Sequence, residues 1–148
     1  TYMVSLYQNT DYDLAKTKVI EVLENKQALN KFYQFVANQG GNIEKISFKP
    51  RYEYQVYSKK QGYITKMNTE EIGKIASILG ASRMTKDDVI DYEAGIILNK
   101  KINDYVKTND LLATLYTNKE INLTNDYLEC LEISDQPIEN NLILGVIK

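Results

Sequence analysis

At 148 residues, with 43% apolar and 26% charged side chains, the chain has the composition of one ordinary globular domain, or of one domain with an appendage. Eighteen Lys and Arg against 20 Asp and Glu leave a net charge of -2, which argues against the basic face of a dedicated nucleic-acid binder. Histidine is absent and Cys130 is the one cysteine, so Ser-His-Asp and Cys-His catalysis, histidine metal ligands, multi-cysteine zinc sites and an internal disulfide are all excluded.

Any chemistry must therefore come from carboxylates, lysines, hydroxyls or backbone groups. No apolar run approaches the ~20 residues of a membrane span, and no signal peptide is visible. The Asn122-Leu123-Thr124 triplet carries no weight without a secretory signal. The first residue is Thr1, so the chain is expected to be a piece of a longer reading frame or a trimmed product.

In chain order, Met3, Val4 and Leu6 read as a strand-like run. Thr10 to Asp13 reads as a helix start capped by the threonine hydroxyl, after which Ala15, Val19, Val22 and Leu23 share one helical face. A second helix follows Asn25-Lys26, with Ala28, Leu29, Phe32, Phe35 and Val36 on one face, and Gly40-Gly41 ends it. The pair reads as a helical hairpin whose apolar faces need a partner.

Tyr52 to Tyr57 alternates as a strand does, with Tyr52, Tyr54 and Val56 on one face. That face is either a half-buried strand or, less favoured, an aromatic platform for stacking bases. Gly62 to Met67 is a second strand. Asn68, with Glu71 three residues on, opens a third helix whose stripe is Ile72, Ile75, Ala76 and Leu79 and whose end is Gly80. Arg83, Lys86, Asp87, Asp88 and Asp91 then make a polar segment, read as a capped turn held by ion pairs rather than as an acid/base pair or cation site. Gly95 to Leu98 and Leu111 to Tyr116 are strands. The stretch between them carries Asn103-Asp104 and Asn109-Asp110 on either side of Val106, which predicts two tight turns around a short strand. Both asparagines are expected at positive φ and replaceable by glycine without loss. Thr124 to Glu132 reads as a last helix broken by Pro137, and Asn141 to Ile147 as a final strand.

Several of these motifs together resemble the C-terminal part of the pyrimidine nucleoside phosphorylase and thymidine phosphorylase family. They are Leu79-Gly80-Ala81-Ser82-Arg83, Lys86 to Asp91, Ala94 to Leu98 with Lys100-Lys101, and Asp104-Tyr105-Val106 followed by Leu111 to Leu115. Gln39-Gly40-Gly41 and Met67 to Glu70 fit the same alignment. The chain departs from the pattern at Ser82, Asn103 and Asn109, where glycine is usual, and at Asn99, where a histidine commonly precedes the two lysines.

The resemblance implies a transferase. Phosphate attacks the anomeric carbon of a pyrimidine nucleoside and the base leaves, which makes the parent a pentosyltransferase with inorganic phosphate as co-substrate. That chemistry needs a phosphate cradle and cations aimed at the base. The family carries these outside the region matched here. The chain has no glycine-rich run beyond Gly40-Gly41, and Arg51 and Arg83 are its only guanidinium groups. No catalytic, cofactor-binding or metal residue of the family can be placed on any position.

The expected fold is α+β: residues 1–48 form a helical segment of the parent α/β domain, and residues 49–148 a strand-rich barrel-sandwich with one inserted helix, like lipoyl and biotinyl domains. The expected role is a structural, non-catalytic, cytoplasmic C-terminal piece, with no cofactor of its own. Its partners would be the remainder of the parent chain and a second copy meeting it through residues 1–41, with no nucleic acid and no membrane. The competing readings are a lipoyl- or biotinyl-type carrier, for which Lys66-Met67 is the nearest approach to an acceptor, and a stand-alone binding or regulatory domain.

Overall fold

In the computed structural model, which describes residues 1–83, 85–141 and 143–147, the chain divides into two units, Thr1–Ser47 and Phe48–Lys148. The first is helical: α1 (Tyr2–Gln8), α2 (Tyr12–Glu24) and α3 (Gln27–Asn38), followed by a single 3-10 turn at Ile43–Lys45. Met3, Val4 and Leu6 thus lie in a helix and not in a strand. A strand there would have no sheet to join, whereas a helix satisfies its own backbone.

Asn9 ends α1 in the left-handed conformation, and the cap of α2 is Asp11 rather than Thr10. The Asp11 carboxylate accepts from Asp13 N at 2.8 Å, while Thr10 Oγ1 is buried with no hydrogen-bond partner among the described residues. Gly41 closes α3 by donating to Val36 O at 2.9 Å. A Cβ at Gly41 would stand 2.6 Å from Val36 Cγ1, so only glycine allows this close return. Ala15 is the one fully buried apolar residue of this unit, and Phe32 (54%) and Phe35 (61%) stay exposed on α3.

The second unit carries two three-stranded antiparallel sheets. One has the order β1 (Tyr52–Tyr57), β5 (Leu111–Thr117), β3 (Gly95–Leu98); the other has the order β4 (Tyr105–Val106), β2 (Gly62–Met67), β6 (Leu131–Ser134). Helix α4 (Thr69–Ala76) follows β2 and runs into a π-helical turn at Ser77–Ala81; α5 (Thr124–Glu129) precedes β6. Asn68 caps α4 by accepting from Glu71 N.

Gly80, at φ 124°, turns the chain out of the helix, and its carbonyl accepts from Asp91 N at 3.0 Å. The carbonyls left over at that helix end are also met: Leu79 O by the buried Thr117 hydroxyl at 2.7 Å, and Ile78 O by Lys119 Nζ at 2.8 Å. Ser82, at φ -144° and ψ 171°, is extended, so the glycine usual in the family is not needed there.

Two buried clusters fill the unit. Val56, Ile75, Leu79, Ala113, Leu115, Tyr127 and Cys130 form the larger; Ile64, Val106 and Leu112 form the smaller. The Tyr127 hydroxyl is buried without a partner among the described residues, and burial first, then the Cys130 sulfur, pushes its pKa up to about 12.

Two elements end differently from the sequence reading. The last helix stops at Glu129, and Leu131–Ser134 pairs with β2 as a strand. Leu131 and Ile133 turn toward the smaller cluster while Glu132 faces water, a period of two rather than of 3.6. No strand forms among the described residues of 141–147, where Leu144 and Ile147 are almost fully exposed; Leu142 lies outside the described residues.

The two asparagine turns have one wiring, repeated six residues apart. In Lys101–Asp104, Lys101 N donates to Asp104 Oδ2 at 2.7 Å and Asp104 N to Lys101 O at 3.0 Å. In Lys107–Asp110, Lys107 N donates to Asp110 Oδ2 at 3.0 Å and Asp110 N to Lys107 O at 3.0 Å. Asn103 N donates to Ile64 O and Asn109 N to Ser58 O, both at 2.8 Å. In return Asp104 O accepts from Ile64 N and Asp110 O from Ser58 N. The asparagines sit at φ 70° and 71°, where their short polar side chains are tolerated. Asn103 has a further task. Its amide donates to Ile138 O at 2.7 Å and accepts from Ile138 N at 2.9 Å, pinning the segment after β6.

The two turns therefore respond differently to glycine. Asn109→Gly is expected to leave stability unchanged, and Asn103→Gly to cost about 1–2 kcal/mol for two lost hydrogen bonds. Valine should cost about 1–2 kcal/mol at position 109 from the strained left-handed backbone, and more at position 103, where the two hydrogen bonds to Ile138 are lost as well. Urea unfolding of the four variants measures all of this; equal behaviour of the two glycine variants would mean that the Asn103–Ile138 contact contributes nothing.

Candidate functional site

The polar segment after α4 is a turn built on hydrogen bonds. Thr85 N and Thr85 Oγ1 donate to the two Asp88 carboxylate oxygens at 2.8 and 2.7 Å, and Asp88 N returns to Thr85 O at 3.3 Å. It is thus a capped turn, as the sequence suggests, and Asx-type hydrogen bonds help to fix it. Asp91 is engaged elsewhere: its Oδ1 accepts from Glu93 N at 3.0 Å and from Asn118 Nδ2 at 3.1 Å. Among the described residues no three Asp, Glu or Cys side chains are arranged to hold a metal ion.

Lys66 lies inside strand β2, opposite Glu132 of β6, and its Nζ is 2.8 Å from Glu132 Oε1. The Glu132 hydrogen bond and charge hold the ammonium above its usual pKa, so it is a fully protonated, engaged amine. A carrier lysine needs a free position at a hairpin tip. Lys66 has neither the place nor the freedom, and the carrier reading gains no support from the geometry.

Tyr52 and Tyr54 stack on each other with ring centroids 6.1 Å apart and planes 8° from parallel. Both are half-buried, and Tyr54 packs on the larger cluster. That is the half-buried strand, with one ring's face spent on its neighbour rather than offered to a base.

Two ionisable groups with shifted pKa, Cys130 and Lys74, border one cavity, and neither is shifted toward activation. Cys130 is buried, and burial, reinforced by Glu71, Asp126 and Glu129, pushes its thiol up, the opposite of an activated nucleophile. Lys74 beside it is held protonated by Glu71 and Glu70 at 2.6 and 2.9 Å. A cavity of about 380 Å³ borders these groups, and another of about 370 Å³ lies along β6 beside Lys59 and Lys60. Neither combines a nucleophile, a base and anion-binding backbone, which is what acyl, phosphoryl or glycosyl transfer requires. Arg51, one of the two guanidinium-bearing residues, has its backbone N–H committed to Asn118 Oδ1 at 2.8 Å. The structure adds one polar assembly that the sequence did not disclose, Asp91–Glu93–Asn118. Only Asp91 stood out beforehand, and its partner Asn118 is 27 residues away with no local signature.

Against known families, residues 63–134, which span β2 to β6, match the model described as the pyrimidine nucleoside phosphorylase C-terminal domain. The chain belongs to this family, as a C-terminal part. The thymidine phosphorylase of Metamycoplasma hominis is 40% identical over 142 residues, covering 91% of this chain and 52% of that protein. The pyrimidine-nucleoside phosphorylase of Bacillus subtilis is 42% identical over 124 residues, covering 80% of this chain and 29% of its own length. The Staphylococcus aureus pyrimidine-nucleoside phosphorylase (strain USA300) is 40% identical over 142 residues, covering 90% and 32%. The chain thus spans about half the length of the first relative and about a third or less of the others. No helix among the described residues is long and apolar enough to cross a membrane.

Proposed function

We propose that this chain is the structural, non-catalytic C-terminal portion of a pyrimidine nucleoside phosphorylase. The parent exchanges the pyrimidine of a nucleoside for inorganic phosphate, giving free base and sugar 1-phosphate, in the cytoplasm. The observation that carries the reading is the match itself, which runs through 91% of the chain at 40% identity while reaching only part of each relative. The lack of convergent catalytic groups among the described residues supports placing the chemistry elsewhere in the parent. The chain contributes no cofactor site of its own, and neither nucleic acid nor membrane is a partner.

The two small sheets, and the paired turns that lock Ile64 and Ser58, support a barrel-sandwich for the second unit, of the kind found in lipoyl and biotinyl domains. In the first unit, Leu23, Leu29, Phe32 and Phe35 remain exposed, more apolar surface than a soluble monomer comfortably leaves in water. The remainder of the parent covers this face. In its absence a second copy of the chain does so through residues 1–41.

Two measurements test this. The purified chain, incubated with uridine or thymidine and phosphate, is expected to release no free base; turnover that copurifies with the chain through repurification would overturn the non-catalytic reading. Light scattering across a dilution series is expected to give at least twice the monomer mass at high concentration, returning to the monomer in Phe35→Asp. A monomeric mass throughout would show that the exposed helical face is not an interface between copies.

A further inference from the structure

Backbone that leads into the first strand of a folded unit ordinarily frays, because its amides have no ladder partner. Residues 48–51 do have partners. Lys49 N donates to Glu93 Oε1 at 3.0 Å, and Arg51 N donates to Asn118 Oδ1 at 2.8 Å. Pro50, between them, has no amide to satisfy. Two of the three amide donors of this stretch, those of Lys49 and Arg51, are therefore held by side chains that lie 44 and 67 residues away in sequence. The holders are themselves tied together. Asn118 Nδ2 donates to Asp91 Oδ1 at 3.1 Å and to Glu93 Oε2 at 3.2 Å, and Glu93 N donates to Asp91 Oδ1 at 3.0 Å. Phe48 adds an edge-on contact to Tyr116, with centroids 4.9 Å apart and planes at 80°. Asn118 directly follows β5, the best-buried strand, so the assembly has a rigid base.

On the N-terminal side, the turn Ile43–Lys45 is capped by Asn42 and closed by Ile46 N donating to Ile43 O at 3.1 Å. Ile46 is 72% exposed, and Ser47 makes no hydrogen bond among the described residues.

We infer that Asp91, Glu93 and Asn118 form a carboxylate–amide clamp that makes residues 48–51 a rigid part of the second unit and confines the compliant point of the chain to Ile46 and Ser47. This does not rest on the enzymatic reading above and would hold for any function of the chain. A hinge of two residues is narrow, and the clamp is what makes it so, because without it the loose stretch would extend to the first residue of β1.

Limited trypsin digestion with mass readout, combined with residue-resolved amide exchange on the 148-residue chain, tests the clamp. Lys49 precedes Pro50 and is not a trypsin site, so Lys45 and Arg51 report the two sides. The first cut between residues 42 and 52 is expected after Lys45, with the Arg51–Tyr52 bond intact and the Lys49 and Arg51 amides exchanging slowly. Asn118→Ala is expected to open the Arg51–Tyr52 bond and to speed exchange of the Arg51 amide about tenfold, the loss of one hydrogen bond, with β5 amides unchanged. Glu93→Ala should do the same to the Lys49 amide. Cleavage after Arg51 as fast as after Lys45 in the unaltered chain, or amides at Lys49 and Arg51 exchanging at unprotected rates, would overturn the inference. Those two readings decide the matter even if a variant fails to fold.

Discussion

Leu112 faces Ile64 and Val106, while its neighbours Ala113 and Leu115 face Val56, Ile75, Leu79 and Tyr127. One strand, β5, is thus a wall of both clusters, and from Leu112 to Leu115 it is buried on both faces. A strand in that position must be apolar nearly throughout, which is why Leu111 to Leu115 reads as a continuous run and not as an alternation. One of its two buried polar residues, Thr117, shows what this placement demands. Thr117 hands its hydroxyl proton to the otherwise unmet carbonyl of Leu79, tying the end of the helical turn to the strand. Each buried leucine contributes roughly 1.5–3 kcal/mol by leaving water. Exposed ion pairs such as Lys66–Glu132 contribute little by comparison. The second unit therefore rests on β5, and the helices and the outer strands β1 and β3 are positioned by what that strand needs covered.

The connections follow from the same requirement. To bring β4 beside β2 and return the chain along β5, the polypeptide must reverse direction twice within ten residues. It uses one device twice: a lysine amide on an aspartate carboxylate, an asparagine at positive φ, and a pair of backbone bonds to a fixed residue, Ile64 in one case and Ser58 in the other. Where the family usually has glycine, asparagine meets the conformational demand, and Asn103 adds a grip on Ile138 that glycine could not supply. The departure is thus compatible with the fold, and at one of the two positions it adds a contact.

Much of this was legible in the sequence, and for definite reasons. The caps of α4, the apolar run of β5, the alternation of β1 and the two asparagine turns are local signals, each created by residues within four positions of one another. Other features are not local. Strand β6 follows α5 after a single residue with no glycine or proline to mark the change, so a helical pattern appears to continue through Leu131 and Ile133. Met3, Val4 and Leu6 are as apolar as a strand, but nothing in the first unit offers them an edge. The cap of α2 differs by one position because a carboxylate one residue later reaches the open amide better than the threonine hydroxyl does. Family membership was legible because the motifs that carry it are short and ordered. The Asp91–Glu93–Asn118 assembly was not, since it exists only once β3 and the end of β5 are side by side.

Native-state hydrogen exchange tests the central role of β5 most directly. If one strand closes both clusters, its amides can open only when the whole second unit unfolds. The amides of Leu112 to Leu115 should then be the slowest in the chain, with exchange free energies equal to the global value from denaturant unfolding. Exchange at β5 through local openings, faster than at β2 or at α4, would contradict the account and would mean that the two clusters are stabilised independently.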